Sequence, residues 1–242
     1  MRHRMTNDLP PGRKGGLTRR DLCLGVGGAA LIFALGGSST LPARALLRPP
    51  GGQDEERLMA ACIRCERCIE ACPQQVLVPA RLEDSVFGVR MPTVAFDDGY
   101  CDFCEGENGG RPRCATACAT GALSLPQDVQ PTDAVIGKAV IVRDWCLAWV
   151  RFDGCRECYK ACRGLYDAIV LNEYHCPEVN RQKCVGCGAC QAACVSLGEY
   201  SVKPDAPTKA ITVVSERGVD AYAARVERTS DSSSEGGVPH EA

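Results

Sequence analysis

Apolar residues in this chain come in short runs broken by glycine, charge and cysteine. Within residues 58–204 the runs VLVPA (76–80), PTVAF (92–96), ALSL (122–125), KAVIV (138–142), AIVL (168–171) and YSV (200–202) are three to five residues long. That is the length of short strands, and none has the periodicity of an extended amphipathic helix. Helical pieces are expected to be brief and to follow loops. The hairpin-like succession ALSL…KAVIV suggests that these two runs pair. The pattern therefore predicts an α+β chain of short strands, loops and short helices.

One longer apolar run, residues 22–37, stands before all of this. It is about 16 residues long and contains five glycines, short of the roughly 20 residues needed to span a bilayer. Ahead of it lie Arg2, Arg4, Arg13, Lys14, Arg19 and Arg20, and behind it LPARA places small residues at Ala43 and Ala45. Basic region, apolar region and A-x-A site make residues 1–45 a signal peptide. Its Thr18-Arg19-Arg20-Asp21-Leu22 core looks like a twin-arginine signal. An uncleaved membrane anchor is the alternative. Cys23 opens the apolar run rather than following it, so it is not placed as a lipoprotein acceptor and is read as inert. Residues 46–57, with Pro49-Pro50-Gly51-Gly52, read as a linker. Residues 205–242 read as a polar tail of disordered composition ending in TSDSSSEGGVPHEA, with a short helix possible at 220–228.

Charge adds little. Of 28 Lys and Arg, seven lie in residues 1–45, as do two of the 30 Asp and Glu. The remainder is thus acidic, at about −7, which suits steering toward a basic redox partner. No basic patch with interleaved aromatics is present, so nucleic acid is not an expected partner.

Cysteine changes the picture. There are 18 in 242 residues, and sixteen fall into four quartets. The first is Cys62, Cys65, Cys68 and Cys72; the second Cys101, Cys104, Cys114 and Cys118. The third is Cys146, Cys155, Cys158 and Cys162; the fourth Cys184, Cys187, Cys190 and Cys194. Their first cysteines are 39, 45 and 38 residues apart, an internal repeat. In every quartet the last two cysteines are four apart, the spacing of a helix entered from a loop.

The first and fourth quartets, CIRCERCIEACP and CVGCGACQAAC, match C-x2-C-x2-C-x3-C, the bacterial ferredoxin spacing for a [4Fe–4S] cluster. Three cysteines in a tight loop ligate three irons of one cubane, and the fourth turns away to a neighbouring cluster. Gly186 and Gly188 are expected to let loop amides approach sulfur. The second quartet has nine residues between its second and third cysteines, and the third has eight between its first and second. EGENGGRP suits a loop that bulges out. In LAWVRFDG, Trp149 and Phe152, with Trp145 just before, either shield a cluster or serve local packing. Structural zinc usually takes two cysteine pairs a dozen or more residues apart, unlike these quartets. Cysteines three apart are poorly placed to bridge each other as disulfides. Cys176 lies outside every quartet and reads as a free thiol.

The order of tight, late-split, early-split and tight quartets behind a twin-arginine signal resembles the MauM/NapG family of ferredoxin-type proteins. RPRCATACATGAL and CLAWVRFDGCRECYKACRGLYDAIVL are similar to that family's second and third motifs. The resemblance covers roughly residues 18–203. It implies four [4Fe–4S] clusters on the sixteen quartet cysteines, held in two bacterial-ferredoxin-like modules. It also implies a periplasmic location by way of the twin-arginine export machinery. The implied partners are a membrane-bound, quinol-oxidising protein of the NapH type and, as acceptor, a periplasmic cytochrome or molybdenum reductase of a nitrate-reductase-type system. Ala119 and Arg163 stand where a proline follows the last cysteine in the usual motif. The sixteen-cysteine electron-transfer subunit of molybdopterin oxidoreductases is an alternative, but its split motifs keep CxxC before the gap.

The sharing of ligands between quartets has two solutions. In tandem sharing, quartet one exchanges its last cysteine with two, and three with four. In nested sharing, one exchanges with four and two with three. The ALSL…KAVIV hairpin leans toward nesting. No catalytic set is legible: the histidines are His3, His175 and His240, and no Ser/His/Asp set or Gly-rich nucleotide loop can be argued. The expected role is electron transfer rather than catalysis, with a cluster-bearing maturation or redox-sensing factor as the competing class.

Overall fold

A computed structural model describes residues 46–105, 111–126, 130, 133–151, 154–197, 202, 208–220 and 222. These lie within a unit spanning Arg44–Ala242; the other unit, Met1–Ala43, is outside the described residues. The signal peptide, Cys23, most of the EGENGGRP loop, Phe152, most of YSV, and the end of the tail therefore lie outside them too. Among the described residues no helix is long and apolar enough to cross a membrane.

The chain enters through α1, Glu55–Ala61. Asp54 caps it, accepting a 3.0 Å hydrogen bond from the Arg57 amide, and Glu55 and Glu56 sit at the positive end of the helix dipole. This corrects the expectation of a linker over 46–57. Pro49 and Pro50 are fully buried, and Arg48, only 4% exposed, donates to the Pro92 carbonyl and pairs with Glu55. The prolines and glycines that suggested a linker instead make a rigid, close-packed strap.

Two similar segments follow. The first holds α2 (Arg67–Glu70), β1 (Leu77–Pro79), β2 (Pro92–Val94) and α3 (Arg113–Thr116). Next come β3 (Lys138–Ile141), a single 3-10 turn at Arg143–Trp145 and α4 (Leu147–Val150). The second segment holds α5 (Glu157–Cys162), β4 (Ile169–Leu171), β5 (Pro177–Val179) and α6 (Ala189–Ala192), and β6 (Ile211–Val214) closes it. The helices α2, α3, α5 and α6 each begin at or just before the third cysteine of a quartet, as the four-residue spacing predicts. β1 pairs antiparallel with β2, Leu77 opposite Val94, and β4 with β5, Ile169 opposite Val179. Each of these hairpins lies between two quartets.

ALSL forms no strand and does not pair with KAVIV. The Ser124 amide instead donates to the Gly51 carbonyl, and Arg57 binds both the Gly51 and Ser124 carbonyls, so this run folds back onto the buried strap. KAVIV, as β3, pairs with β6, Lys138 opposite Val214 and Ile141 opposite Ile211. β6 falls in the region expected to be a polar tail, where ITVV alternates buried and half-buried residues. Each segment is thus closed by its own flanking chain. A single hydrophobic cluster runs through both, with Leu58, Phe96, Phe103 and Ile211 packed beside Cys114, Cys162, Cys187 and Cys190. The cysteines are part of the core itself.

Candidate metal centres

The local backbone explains how each tight loop turns three thiols to one point. In the first quartet Arg64 and Glu66 lie in the left-handed region at φ +57° and +63°. In the fourth, Gly186 and Gly188 occupy the same two places at +73° and +86°. Phe103, at +55°, takes the first of these places in the second quartet. The two glycines also answer to packing. A Cβ on Gly186 would collide with the Gly137 backbone, and one on Gly188 with the Phe96 ring. Packing of the loop against its neighbours and the positive φ both demand glycine here.

The loops open onto four cavities. The first, of about 400 Å³, is lined by Cys62, Cys65, Cys68 and Cys118. The second, about 370 Å³, is lined by Cys101, Cys104, Cys114 and Cys72. Cys146, Cys155, Cys158 and Cys194 line the third, about 360 Å³. Cys184, Cys187, Cys190 and Cys162 line the fourth, about 330 Å³. Each cavity is thus lined by three cysteines from one quartet and the last cysteine of its tandem neighbour, one with two and three with four. The ALSL–KAVIV pairing that leaned toward nesting does not form, and none of these four cavities is lined in the nested order.

The cavities disfavour bare thiolates. Burial first, and then the neighbouring Cys62 and Cys118, push the Cys68 thiol up to about 11. Burial, Cys104 and Cys72 raise Cys114 to about 12, and burial with Cys146 and Cys194 does the same for Cys158. Burial takes Cys187 to about 11 and raises Cys101 and Cys190 strongly as well. Four thiolates cannot coexist in such a site without positive charge between them. Cys118 differs: burial would raise it, but donors led by the Leu123 amide and the Thr120 hydroxyl hold it below its usual range.

Backbone amides are aimed at the sulfurs. Leu123 N–H donates to Cys118 Sγ, Arg113 N–H to Cys104 Sγ and Ala139 N–H to Cys184 Sγ, each at 3.4 Å. Such donors stabilise anionic cluster sulfur and tune its potential. Among the described residues no group of three or more His, Cys, Asp or Glu is arranged for a single metal ion. The cysteines between Cys62 and Cys194 are reduced rather than bridged. Four thiols that line one cavity without forming a single-ion site fit a cubane better than a zinc ion.

The two tryptophans and Cys176 are held by local contacts. Trp145 is buried with Val142 and Ala210, against Cys146 and Cys194. Trp149 donates its indole N–H to the Pro177 carbonyl at 3.1 Å and carries the Arg143 guanidinium 4.1 Å above its ring. Cys176 lines none of the four cavities; it is buried, and its thiol donates to the Ala148 carbonyl at 3.2 Å. The amide donors and the left-handed residues Arg64, Glu66 and Phe103 carry no sequence signal beyond their place in the loops.

Paired cubane sites built from cysteine loops and short hairpins define a ferredoxin-type iron–sulfur protein. Comparison with known proteins agrees: the 4Fe-4S dicluster domain matches residues 61–122, which span the first two quartets. The methylamine utilization ferredoxin-type protein MauM of Methylophilus methylotrophus is 36% identical over 190 residues, covering 73% of this chain and 80% of that protein. The ferredoxin-type protein NapG of Escherichia coli is 33% identical over 193 residues, covering 73% and 79%. The ferredoxin-type protein NapF of the same organism is 32% identical over 152 residues, covering 61% and 79%. No solved structure matches. The chain belongs to the MauM/NapG family of ferredoxin-type iron–sulfur electron-transfer proteins, and its cofactors are [4Fe–4S] clusters.

Proposed function

We propose that the protein is an electron relay with four [4Fe–4S] sites in two bacterial-ferredoxin-like modules. The ligand sets are Cys62, Cys65, Cys68 with Cys118; Cys101, Cys104, Cys114 with Cys72; Cys146, Cys155, Cys158 with Cys194; and Cys184, Cys187, Cys190 with Cys162. The observation that carries this reading is that each of four cavities is lined by four cysteines, three from one loop and one from its tandem partner.

When bound, such a cluster gives up and accepts single electrons without making or breaking bonds. The chain's own residues do the rest. The cysteines fill the corners, leaving none for substrate; the amides of Leu123, Arg113 and Ala139 steady the sulfurs; and the apolar walls limit water. The physiological route runs from a membrane-bound, NapH-like quinol-oxidising protein to a periplasmic cytochrome or molybdenum reductase. Twin-arginine export, which carries folded proteins, delivers the loaded chain to the outer side of the membrane. The names of the relatives divide between methylamine utilization and the Nap proteins, so support for a nitrate-reductase-type acceptor comes from the second group alone.

Iron and sulfide analysis of the purified holoprotein is expected to give about sixteen of each per chain. Potentiometric titration followed by electron paramagnetic resonance (EPR) should find four reversibly reducible centres. About eight irons, or centres that never reduce reversibly, would overturn the relay and favour a maturation or sensing role.

A further inference from the structure

The tandem exchange joins sites one and two, and sites three and four. It leaves open how the two pairs meet. Within each pair the thiols are close enough for their charges to interact: Cys68 of site one with Cys114 of site two, and Cys158 of site three with Cys190 of site four. Between the pairs, one direct link stands out. The Cys101 amide donates to the Cys187 carbonyl at 2.8 Å, so a ligand of site two and a ligand of site four share a hydrogen bond. The bridge from sulfur to sulfur is Cys187 Sγ, its Cβ, Cα and carbonyl, then the amide, Cα, Cβ and Sγ of Cys101. No other side chain intervenes.

Further contacts hold this link in place. The Phe103 ring, beside Cys104, meets the Tyr166 ring edge-on at 6.2 Å, and Tyr166 lines the fourth cavity. Gly188 presses onto Phe96, and Gly186 onto Gly137. Lys209 Nζ binds both the Asp97 and Ala192 carbonyls, at 2.9 and 3.0 Å, tying the approach to the second quartet to the helix of the fourth. The middle of the molecule is also where cysteine burial is deepest: Cys184, Cys187 and Cys190 are all buried, whereas Cys65 of the first site is exposed.

We infer that Cys101 and Cys187, held by Phe103, Tyr166 and Lys209, form the electronic junction between the two pairs. The four sites then stand in the order first, second, fourth, third. Chain order and relay order differ, and the first and third sites are the termini. Transfer across the junction moves one electron, oxidising one side and reducing the other, with no bond broken and no proton released. Electronic coupling decays steeply across empty space, so a continuous path of bonds with one hydrogen bond is the favoured crossing.

This inference rests on the four-cluster reading, and iron analysis tests that reading separately. The order is tested by magnetic coupling in the fully reduced holoprotein, since adjacent reduced clusters broaden and split each other's EPR signals. In the unsubstituted protein, two signals should show two neighbours and two should show one. Cys65→Ser should simplify the second site's signal alone, Cys155→Ser the fourth's alone, and Cys190→Ser both the second's and the third's. Tyr166→Leu, which keeps every ligand, should weaken coupling between the second and fourth sites and spare the coupling within pairs. Four clusters by iron analysis that behave as two independent pairs would overturn the order. So would a second-site signal unchanged in Cys190→Ser, whereas second–fourth coupling unchanged in Tyr166→Leu would overturn only the part given to Tyr166 in holding the junction.

Discussion

The first and fourth quartets have the same spacing and the same two left-handed positions, yet one is open and the other enclosed. In the first, Arg64 and Glu66 adopt positive φ with their side chains at the surface, Arg64 reaching the Phe87 carbonyl and Glu66 pairing with Arg90. Ile63 between the cysteines is 67% exposed. In the fourth, the equivalent residues are Gly186 and Gly188, wedged against Gly137 and Phe96, and Val185 is buried. Spacing thus sets the shape of the loop, while the residues between the cysteines record where the loop sits. An enclosed loop must use glycine; an open one can bear the strain of L-residues, about 1–2 kcal/mol each.

The largest break in this comparison should come from a ligand. Cys190→Ser is expected to lose a whole centre, lowering iron by about four per chain, and to lower the stability of the rest because the site lies in the shared core. Cys65→Ser, at the open end, should lose its own centre and leave the others stable. Thermal unfolding and iron analysis of the two variants check this. Equal destabilisation would argue that the open and enclosed sites do not differ in kind.

Gly188→Ala comes next. Its methyl group would overlap the Phe96 ring and would force an L-residue into the left-handed region. A loss on the order of 3 kcal/mol is expected in a denaturant titration of the holoprotein. A milder change is expected for Cys176→Ala, which leaves the Ala148 carbonyl without its buried donor. It should cost about 1 kcal/mol while all centres remain by EPR. Loss of a cluster there would make Cys176 a ligand. The smallest effect is expected for Glu66→Gly, which relieves backbone strain but gives up an exposed ion pair with Arg90. Those terms nearly offset, leaving a change of less than about 1 kcal/mol.

The same contrast shows what was legible in the sequence. The quartets, the four helices at their third cysteines and the strands in VLVPA, PTVAF, KAVIV and AIVL follow from local spacing and local propensity. The tandem exchange was not legible, because strand partners depend on chain far away. ALSL and KAVIV look like a hairpin, but Ser124 turns back to Gly51 and KAVIV finds β6 some 70 residues on. β5, with only PEV, is too short and too polar to announce itself. The strap at 46–57 was hidden by its own composition, since Pro and Gly mark loops whether exposed or packed. Glycine in CVGCGAC stands out in the sequence, but Phe96 and Gly137, against which it packs, come from other parts of the chain.

The central claim is tandem sharing, and Cys118 tests it most directly. Cys118 belongs to the second quartet by sequence and lines the first cavity by structure. EPR spectra of reduced holoprotein carrying Cys118→Ser should be compared with those of Cys65→Ser, Cys104→Ser and Cys155→Ser. Tandem sharing predicts that Cys118→Ser alters the same signal as Cys65→Ser. Alteration of the signal that Cys155→Ser removes, as nested sharing requires, or of the one that Cys104→Ser removes, would contradict it.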